Sequence, residues 1–269
     1  MKKLYITIIC LLFTGLNIQA QNLYIRAGLG FAVSTSAQFV TKSTSTNGWD
    51  LKKAGIGTGL PFVAAVGYKL GANIGIELGI DYFQGLNIKS ADDQYYNGHT
   101  VTDATTKTHG SMLSLVPAFV LTIPLEKLQP YARIGVKIGV LSSEMTKVDG
   151  STLYYVGEIS QKVPVTTKEK DYGGVAFGFQ AAIGTDFKLS NMLSLFGEIQ
   201  MDGISYAPSK GKFTEFTVNG VDQLSQMSTT DKSWDYSKSR TDGDDKQDKF
   251  NIPFNNVGLV VGVKIKLGS

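Results

Sequence analysis

Strict alternation of aliphatic residues with small or charged ones recurs along this chain. In the stretch YARIGVKIGV, four aliphatic residues alternate with Arg133, Gly135, Lys137 and Gly139. A period of two is that of a β-strand, in which successive side chains point to opposite faces. One face of this strand is therefore aliphatic, and the other carries glycine and positive charge.

The same pattern predicts eight strands, at about 23–40, 60–69, 74–85, 111–122, 130–141, 173–189, 193–206 and 253–267. Most are longer than the roughly 5–6 residues of a common soluble strand, and they match the roughly 9–11 that cross a bilayer. The connections alternate between short turns, at 70–73, 123–129 and 190–192, and long polar loops, at 41–59, 86–110, 142–172 and 207–252. Short turns at one end and long loops at the other are typical of an outer-membrane barrel.

The bulk of the side chains predicts which face meets lipid. An eight-stranded barrel has an interior just wide enough for side chains, so glycine and a few paired polar residues suit its lumen. Arg133 or Lys137 would cost about 2–4 kcal/mol on the lipid face near the midplane. We therefore predict an all-β fold, an eight-stranded antiparallel up-and-down transmembrane β-barrel. A soluble lipocalin-like barrel or sandwich is the alternative.

The predicted lumen collects charges of both signs. A buried ion-pair plug is favoured there over a conduction path, because the two signs lie interleaved in a narrow bore. The predicted charge network comprises Arg26, Glu77, Asp81, Arg133, Lys137, Glu198, Asp202 and Lys264.

The first twenty residues have the pattern of a secretory signal. Lys2 and Lys3 precede an apolar run, and Ala20 is a small residue suited to a cleavage site. We predict two regions, a cleaved signal peptide at 1–20 and a barrel domain at 21–269. Cleavage removes Cys10, the only cysteine, so the mature chain has no disulfide and no cysteine metal site. Among the remaining residues, 24 Lys plus Arg face 23 Asp plus Glu, which does not indicate a nucleic-acid partner.

Five motifs resemble the outer-membrane β-barrel domain family of Gram-negative bacteria and, more distantly, the OmpA/OmpX type. They are RAGLGF at 26–31, SLVPAFVLTIPL at 114–125, QPYARIGVKIGVL at 129–141, LSLFGEIQ at 193–200 and GLVVGVKIKL at 258–267. The resemblance implies an outer-membrane location, with membrane lipid and lipopolysaccharide as surroundings and the barrel assembly machinery as a partner during insertion. The last strand resembles the insertion signal read by that machinery, with Gly262, Ile265 and Leu267, but the usual terminal aromatic residue is absent.

Aromatic residues suggest two roles. Near strand ends, an interfacial girdle is the favoured interpretation of Tyr68, Tyr131, Phe187 and Tyr206. In the long loops, contact with an extracellular ligand of unknown identity is predicted for Trp49, Trp234 and Tyr236. A disordered tip that shields the barrel is the alternative for the loop at 207–252, which is rich in Ser, Thr, Lys and Asp.

Catalytic and metal-binding chemistry has little support. The HGS triplet at 109–111 is similar to the His-x-Ser of barrel lipid A deacylases, but no third member of a triad can be named. His99 and His109 are the only histidines, and TDGDDKQD at 241–248 lacks EF-hand spacing. We predict no catalytic residue, metal or cofactor. The predicted protein is a non-enzymatic outer-membrane anchor that presents extracellular loops, the alternatives being a narrow porin-like channel and, more remotely, a lipid-modifying enzyme.

Overall fold

The computed structural model describes residues 22–36, 38–45, 48–91, 94–96, 99–156, 159–239 and 246–268, with side chains in 22–36, 54–90, 104–151, 161–239 and 246–268. The described chain consists mainly of strands: β1 (Leu23–Ser34), β2 (Gln38–Ser45), β3 (Gly48–Ala54), β4 (Gly59–Lys69), β5 (Ile74–Gly85), β6 (Ile88–Ala91), β7 (Gln94–Tyr96), β8 (His99–Thr122), β9 (Leu128–Val156), β10 (Ile159–Tyr172), β11 (Ala176–Lys188), β12 (Leu193–Tyr206), β13 (Lys210–Val218), β14 (Val221–Asp222), β15 (Ser233–Ser237), β16 (Gln247–Asp248), β17 (Ile252–Pro253) and β18 (Asn256–Lys266). A 3₁₀ turn at Leu224–Gln226 and a short helix α1 at Thr229–Lys232 precede β15. Within these residues, no helix has the length and apolar character to span a membrane.

Eight of these strands close into a barrel, in the order β1, β4, β5, β8, β9, β11, β12 and β18. Each pairs antiparallel with the next. The ring is closed by β18 and β1, whose register runs from Tyr24 opposite Lys266 to Ser34 opposite Asn256. Closure leaves no unpaired strand edge, which hydrocarbon surroundings require. The predicted eight-stranded antiparallel fold is thereby confirmed.

Large apolar side chains cover the outside of the barrel and form a lipid belt. Leu29, Phe119, Ile134, Phe177 and Leu259 illustrate it, each being between 59% and 65% exposed. The inner wall contains glycine where large lumen side chains approach the backbone. A Cβ on Gly67 would collide with the ring of Tyr24, and one on Gly184 would lie 2.8 Å from the ring of Tyr131. The side-chain faces are thus arranged as an outer-membrane barrel requires.

The sheet continues beyond the lipid belt at the end where the long connections lie, which we call the long-loop end. There β9 runs on to Val156 and pairs with β10, while β8 begins at His99 and pairs with β6, β7 and β9. β10 also pairs with β13. The predicted long loops at 86–110 and 142–172 are therefore largely strand among the described residues, as is about half of 207–252, and the strand limits predicted at 111 and 141 are wrong. Thr, Val and Tyr favour strands whether or not an aliphatic face is present.

Two irregularities lie where the barrel meets this extension. Val140 is the extra residue at a register shift between β8 and β9, and Val140 and Leu141 are both exposed. On the neighbouring chain segment, Gly173 and Gly174 have positive φ values of 76° and 80° and separate β10 from β11. Glycine adopts such values without steric cost, so this pair provides the bend.

Candidate functional site

Glu198 is the centre of the first charge cluster in the lumen. Its carboxylate accepts two hydrogen bonds from Arg26, at 2.9 and 3.2 Å, and one from Arg133 Nη2 at 2.7 Å. Tyr131 Oη donates a fourth bond of 2.7 Å. Glu77 completes the cluster: it accepts a bond of 2.9 Å from the hydroxyl of Tyr24, and its Oε2 lies 3.4 Å from Arg26 Nε and 3.7 Å from Arg133 Nε. Two guanidinium groups thus face two carboxylates.

Lys137 is the centre of the second cluster. Its Nζ lies 2.7 Å from Asp202 Oδ2 and 3.4 Å from Asp81 Oδ2. The amide of Gln180 joins the two clusters, because its nitrogen donates to Asp81 at 2.6 Å and to Asp202 at 3.0 Å while its oxygen accepts from Arg133. A single hydrogen-bonded network therefore crosses the bore.

A third pair lies toward the short-turn end of the lumen. Lys264 Nζ donates to Asp186 Oδ2 at 2.7 Å and lies 4.2 Å from the ring centre of Tyr24. The structure thus places all eight residues of the predicted charge network in the lumen. It adds Asp186, Gln180 and Gln200, which the prediction did not include although alternation put all three on the polar faces of their strands.

Two of the predicted girdle residues are instead internal. Tyr131 is buried in the lumen beside Glu198, and Tyr206 is fully buried with its hydroxyl donating to the carbonyl of Ser142 at 3.0 Å. The girdle interpretation is wrong for both, because each has the strand parity of the inner face. Phe187 is 44% exposed on the outside, and Tyr68 is half-buried.

An apolar cap closes the lumen at the long-loop end. Phe254 is its centre, with its ring 6.2 Å from those of both Phe83 and Tyr206 in edge-to-face geometry. Asn255 fastens the capping segment: its Oδ1 accepts from Ile204 N at 2.8 Å and its backbone oxygen from Thr35 N at 3.1 Å. The buried members of the cap are Ala32, Ile56, Phe83, Met112, Ala176, Ile204, Tyr206, Ile252 and Phe254.

The extension carries a line of aromatic contacts on β13, β15 and the residues that follow. The ring of Trp234 lies 5.2 Å from that of Phe213 and 6.5 Å from that of Tyr236, which lies 5.1 Å from Phe250. A cavity of about 390 Å³ beside Trp234 is also lined by Tyr172, Lys210, Thr230, Ser233, Asp235 and Lys246. Of the loop-contact candidates, Trp234 and Tyr236 therefore belong to one ordered cluster. The backbone of Trp49 lies in β3, but its side chain is outside the described residues.

Two carboxyl groups face each other inside the extension, above the lipid belt. Glu144 on β9 is directly opposite Asp171 on β10, and the hydroxyl of Tyr236 donates to Asp171 Oδ1 at 2.7 Å. Burial raises the pKa of Glu144 to about 7, and the nearby carboxyls of Asp171 and Glu169 contribute to the increase. Burial also raises the pKa of Asp171, against the lowering effect of the Tyr236 hydrogen bond. The charge of the Glu144 carboxyl group therefore changes near neutral pH.

The remaining sequence motifs have simple surroundings. Ser111 Oγ shares a hydrogen bond of 3.1 Å with Ser143 Oγ, and His109 lies opposite Met145. In the described part of the chain, no group of three or more His, Cys, Asp or Glu is arranged to hold a metal ion. Most of the acidic run at 241–248, and the whole predicted signal peptide at 1–20, lie outside the described residues.

The residues of the predicted insertion signal lie on or just beyond the closing strand β18. Gly262 is opposite Gly28 of β1, Ile265 is opposite both Ile25 and Leu193, and the backbone nitrogen of Leu267 donates to Leu23 O at 2.9 Å.

A closed barrel with a lipid-facing belt and a charged, capped lumen defines an integral outer-membrane protein of the small-barrel class. The sequence matches the family model described as outer membrane protein beta-barrel domain over residues 8–221, well over half of the chain. The chain therefore belongs to this family, and it is an outer-membrane protein.

Solved structures of other outer-membrane proteins resemble it distantly. Neisserial surface protein A is 11% identical, covering 91% of this chain and 96% of its own, with a TM-score of 0.37. The attachment invasion locus protein of Yersinia pestis, Ail, is 9% identical, with coverages of 91% and 95% and a TM-score of 0.33. CarO2 of Acinetobacter baumannii is 13% identical, with coverages of 90% and 98% and a TM-score of 0.31. No curated protein sequence gives a significant match. These similarities are too distant to carry functional information.

Proposed function

We propose that this protein is a non-conducting, non-enzymatic anchor that presents a folded β-extension outside the cell for contact with an extracellular ligand. The observation that carries the proposal is the combination of a lumen crossed by ion pairs with strands that continue well past the lipid belt. In this orientation the long-loop end is extracellular and the short turns are periplasmic.

The lumen supports the first part of the proposal. An ion or solute would have to pass the apolar cap around Phe254 and then separate the pairs around Glu198 and Lys137. Breaking a buried, hydrogen-bonded ion pair costs about 3–5 kcal/mol, so spontaneous opening should be rare. This favours an anchor over the narrow porin-like channel.

The test of a closed lumen is conductance. Purified barrel in a planar lipid bilayer should give no steady single-channel current, either as wild type or as Phe254→Ala, which opens the cap but leaves the ion pairs in place. Steady currents from the wild-type barrel would contradict the proposal and favour the channel.

The extension supports the second part. Aromatic residues dominate binding energy in protein interfaces, and a pre-ordered surface loses less entropy on binding than a disordered loop. Trp234, Tyr236 and Phe250 form such an ordered aromatic cluster. The described residues of 207–252 thus favour a binding surface over a disordered shield.

The test of surface contact is a loop replacement. Exchanging residues 210–248 for an Asn-Gly turn removes β13 and β15 but keeps the capping residues Ile252 and Phe254. We expect the truncated barrel to insert into the membrane and, as a folded barrel, to migrate differently on a gel before and after boiling. Cells that produce the truncated barrel should adhere less to laminin, fibronectin or mucin. A full-length Trp234→Ala, Tyr236→Ala variant should show the same loss of adhesion with the extension kept.

If the truncated barrel adheres to every surface that its parent does, the extension is a shield and the binding role is wrong.

For biogenesis, we propose cleavage of residues 1–20 during export and recognition of Gly262, Ile265 and Leu267 by the barrel assembly machinery. Mass spectrometry of the purified protein tests the cleavage.

A further inference from the structure

Strand register brings four lysines into a single row on the outward face of the extension. Lys89 on β6 is opposite Lys107 on β8, which is opposite Lys147 on β9, which is opposite Lys168 on β10. These residues are far apart in the sequence but occupy directly opposed positions on four adjacent strands. We call this row the lysine ladder. Glu215 on β13 continues the row and pairs with Lys168 at 2.7 Å.

Two further rows lie between the ladder and the lipid belt and add more positive charge. The nearer to the ladder runs through His109, Met145, Lys170, Lys212 and Ser233. The nearer to the belt runs through Ser111, Ser143, Tyr172, Lys210 and Asp235. The three rows together contain seven lysines, and their carboxylates are Glu215 and Asp235, with Asp149 reaching Lys147 at 2.8 Å from the row beyond. This face is strongly positive.

Such an arrangement is unfavourable in isolation. Side chains directly opposite each other in an antiparallel pair have Cβ atoms about 4.5–5.5 Å apart, and like charges there are destabilising. Asp149 pairs with Lys147 and also attracts Lys107, and Glu215 pairs with Lys168, so two carboxylates face the four cations of the row. An anionic partner that lies along the row would offset this repulsion.

The height of the rows above the belt indicates which anion fits. Lys147 lies six residues beyond Leu141, the last strongly exposed aliphatic residue of β9. At about 3.4 Å per residue and a tilt of about 40°, the three rows lie roughly 5, 10 and 15 Å above the hydrocarbon. The headgroup layer of an ordinary phospholipid bilayer adds only about 5–8 Å on each side. A phospholipid phosphate would therefore reach the lowest row but not the ladder.

We propose that the lysine ladder and the two rows below it bind the phosphorylated sugar headgroup of a glycolipid in the outer leaflet. A glycolipid with phosphates on its sugars carries closely spaced negative charges to the height of the ladder, and its acyl chains would lie against the lipid belt directly below. The binding would fix the depth and rotation of the barrel in the membrane. The inference rests on the outer-membrane location, and its test uses ladder lysines on β8, β9 and β10, which lie outside the segment 210–248 that the surface-contact test removes.

The test compares two triple variants with equal net charge. Lys107→Gln, Lys147→Gln, Lys168→Gln removes the centre of the ladder. The matched control, Lys69→Gln, Lys188→Gln, Lys266→Gln, removes three lysines at the short-turn end. Folded protein in neutral detergent micelles is titrated with bis-phosphorylated lipid A, with fully dephosphorylated lipid A and with inorganic triphosphate, and thermal unfolding is followed by gel migration.

We expect lipid A to raise the melting temperature of the wild type and of the control. Since each lysine near an anionic surface contributes about 1 kcal/mol, the ladder variant should bind lipid A about 100-fold more weakly. Without lipid, the ladder variant should melt at the wild-type temperature or above it, because like-charge repulsion is reduced; this separates lost binding from misfolding. Dephosphorylated lipid A should have no effect on any variant.

Three outcomes would overturn the proposal. Equal affinity of the ladder variant and the wild type would show that these lysines do not bind the headgroup. Equal weakening in both triple variants would reduce the effect to net charge. Stabilisation by triphosphate without stabilisation by lipid A would assign the face to a soluble phosphate ligand instead of a membrane lipid.

Discussion

Replacing Glu198 by glutamine should destabilise the barrel more than any conservative change on its surface. The substitution keeps the shape of the side chain but removes the charge that accepts hydrogen bonds from Arg26, Arg133 and Tyr131. Glutamine offers a single acceptor oxygen, and its amide nitrogen would point a donor at a guanidinium group. Two buried cations would then depend on Glu77 alone within this cluster.

The expected size of the effect follows from the burial of the pair. Side-chain exposure is 0% for Glu198 and 4% for each of the two arginines, so water does not replace the lost contacts. Removing one partner of such a pair costs about 3–5 kcal/mol. Native proteins are stable by only about 5–15 kcal/mol, so this is a large fraction of the total.

The assay is reversible urea unfolding in lipid vesicles, followed by tryptophan fluorescence and by gel migration. Glu126→Gln, on an exposed short turn, is the matched control and should change stability by less than about 0.5 kcal/mol. A double variant with Arg26→Met should cost less than the sum of its single changes, because it removes one charge of each sign. A Glu198→Gln barrel as stable as the control, or strict additivity with Arg26→Met, would refute the network as the internal support of the barrel.

Three other perturbations have defined outcomes. The folded-state pKa of Glu144 is raised from 4.5 to about 7, so between these pH values the folded barrel binds more protons at this carboxyl group than the unfolded chain does. The free energy of unfolding should therefore fall by about 2–3 kcal/mol at most as the pH rises from 4.5 to 7. Urea titrations at several pH values should show that Glu144→Gln removes this fall. Phe254→Ala should cost about 3–5 kcal/mol in the same assay through a cavity in the cap, and a cost below about 1 kcal/mol would mean that the cap does not pack as described. Gly67→Ala should destabilise by about 1–3 kcal/mol because its methyl group meets the ring of Tyr24, whereas Gly71→Ala, where an added Cβ has open space, should be nearly neutral.

The alternating pattern predicted strand limits best for barrel strands that have a short turn at one end and finish at the edge of the lipid belt at the other. The predicted strands at 74–85 and 193–206 coincide with β5 and β12. The aliphatic signal ends at the membrane surface, but the hydrogen-bonded ladder does not. The prediction therefore stopped at 141 while β9 runs to Val156. The aliphatic alternation along a strand indicates only where its side chains contact lipid, whereas the pairing between strands continues beyond the lipid belt.

Strand parity predicted the charged lumen, but the predicted network omitted the charged residue Asp186 and the neutral residues Gln180 and Gln200 on the same inner face. Gln180 lies between the two clusters as a neutral side chain, so charge alone gave no reason to include it. Tyr131 has the same strand parity as Arg133, which indicates an inward position, but tyrosine is common at membrane interfaces and the prediction followed the residue type. The lysine ladder was not predictable from one strand at a time, since Lys107, Lys147 and Lys168 meet only through the register between three strands that are joined by two connections.

The register shift at Val140 and the pair Gly173 and Gly174 lie at the membrane boundary and explain why the charged lumen and the lysine ladder lie on opposite faces of the sheet. Below the boundary, odd-numbered positions of β9 such as Arg133 and Lys137 face inward; above it, even-numbered positions such as Val148 do. The extra residue Val140 makes this exchange on β9, and Gly173 and Gly174 lie at the corresponding exchange between β10 and β11. Without the exchange, Lys147 and Lys168 would turn inward and the carboxyls of Glu144 and Asp171 outward. Insertion of one residue thus places cations where membrane anions lie and keeps the inner face of the extension available for packing. The two bends therefore determine which charges the extension presents on its outward face just above the lipid belt.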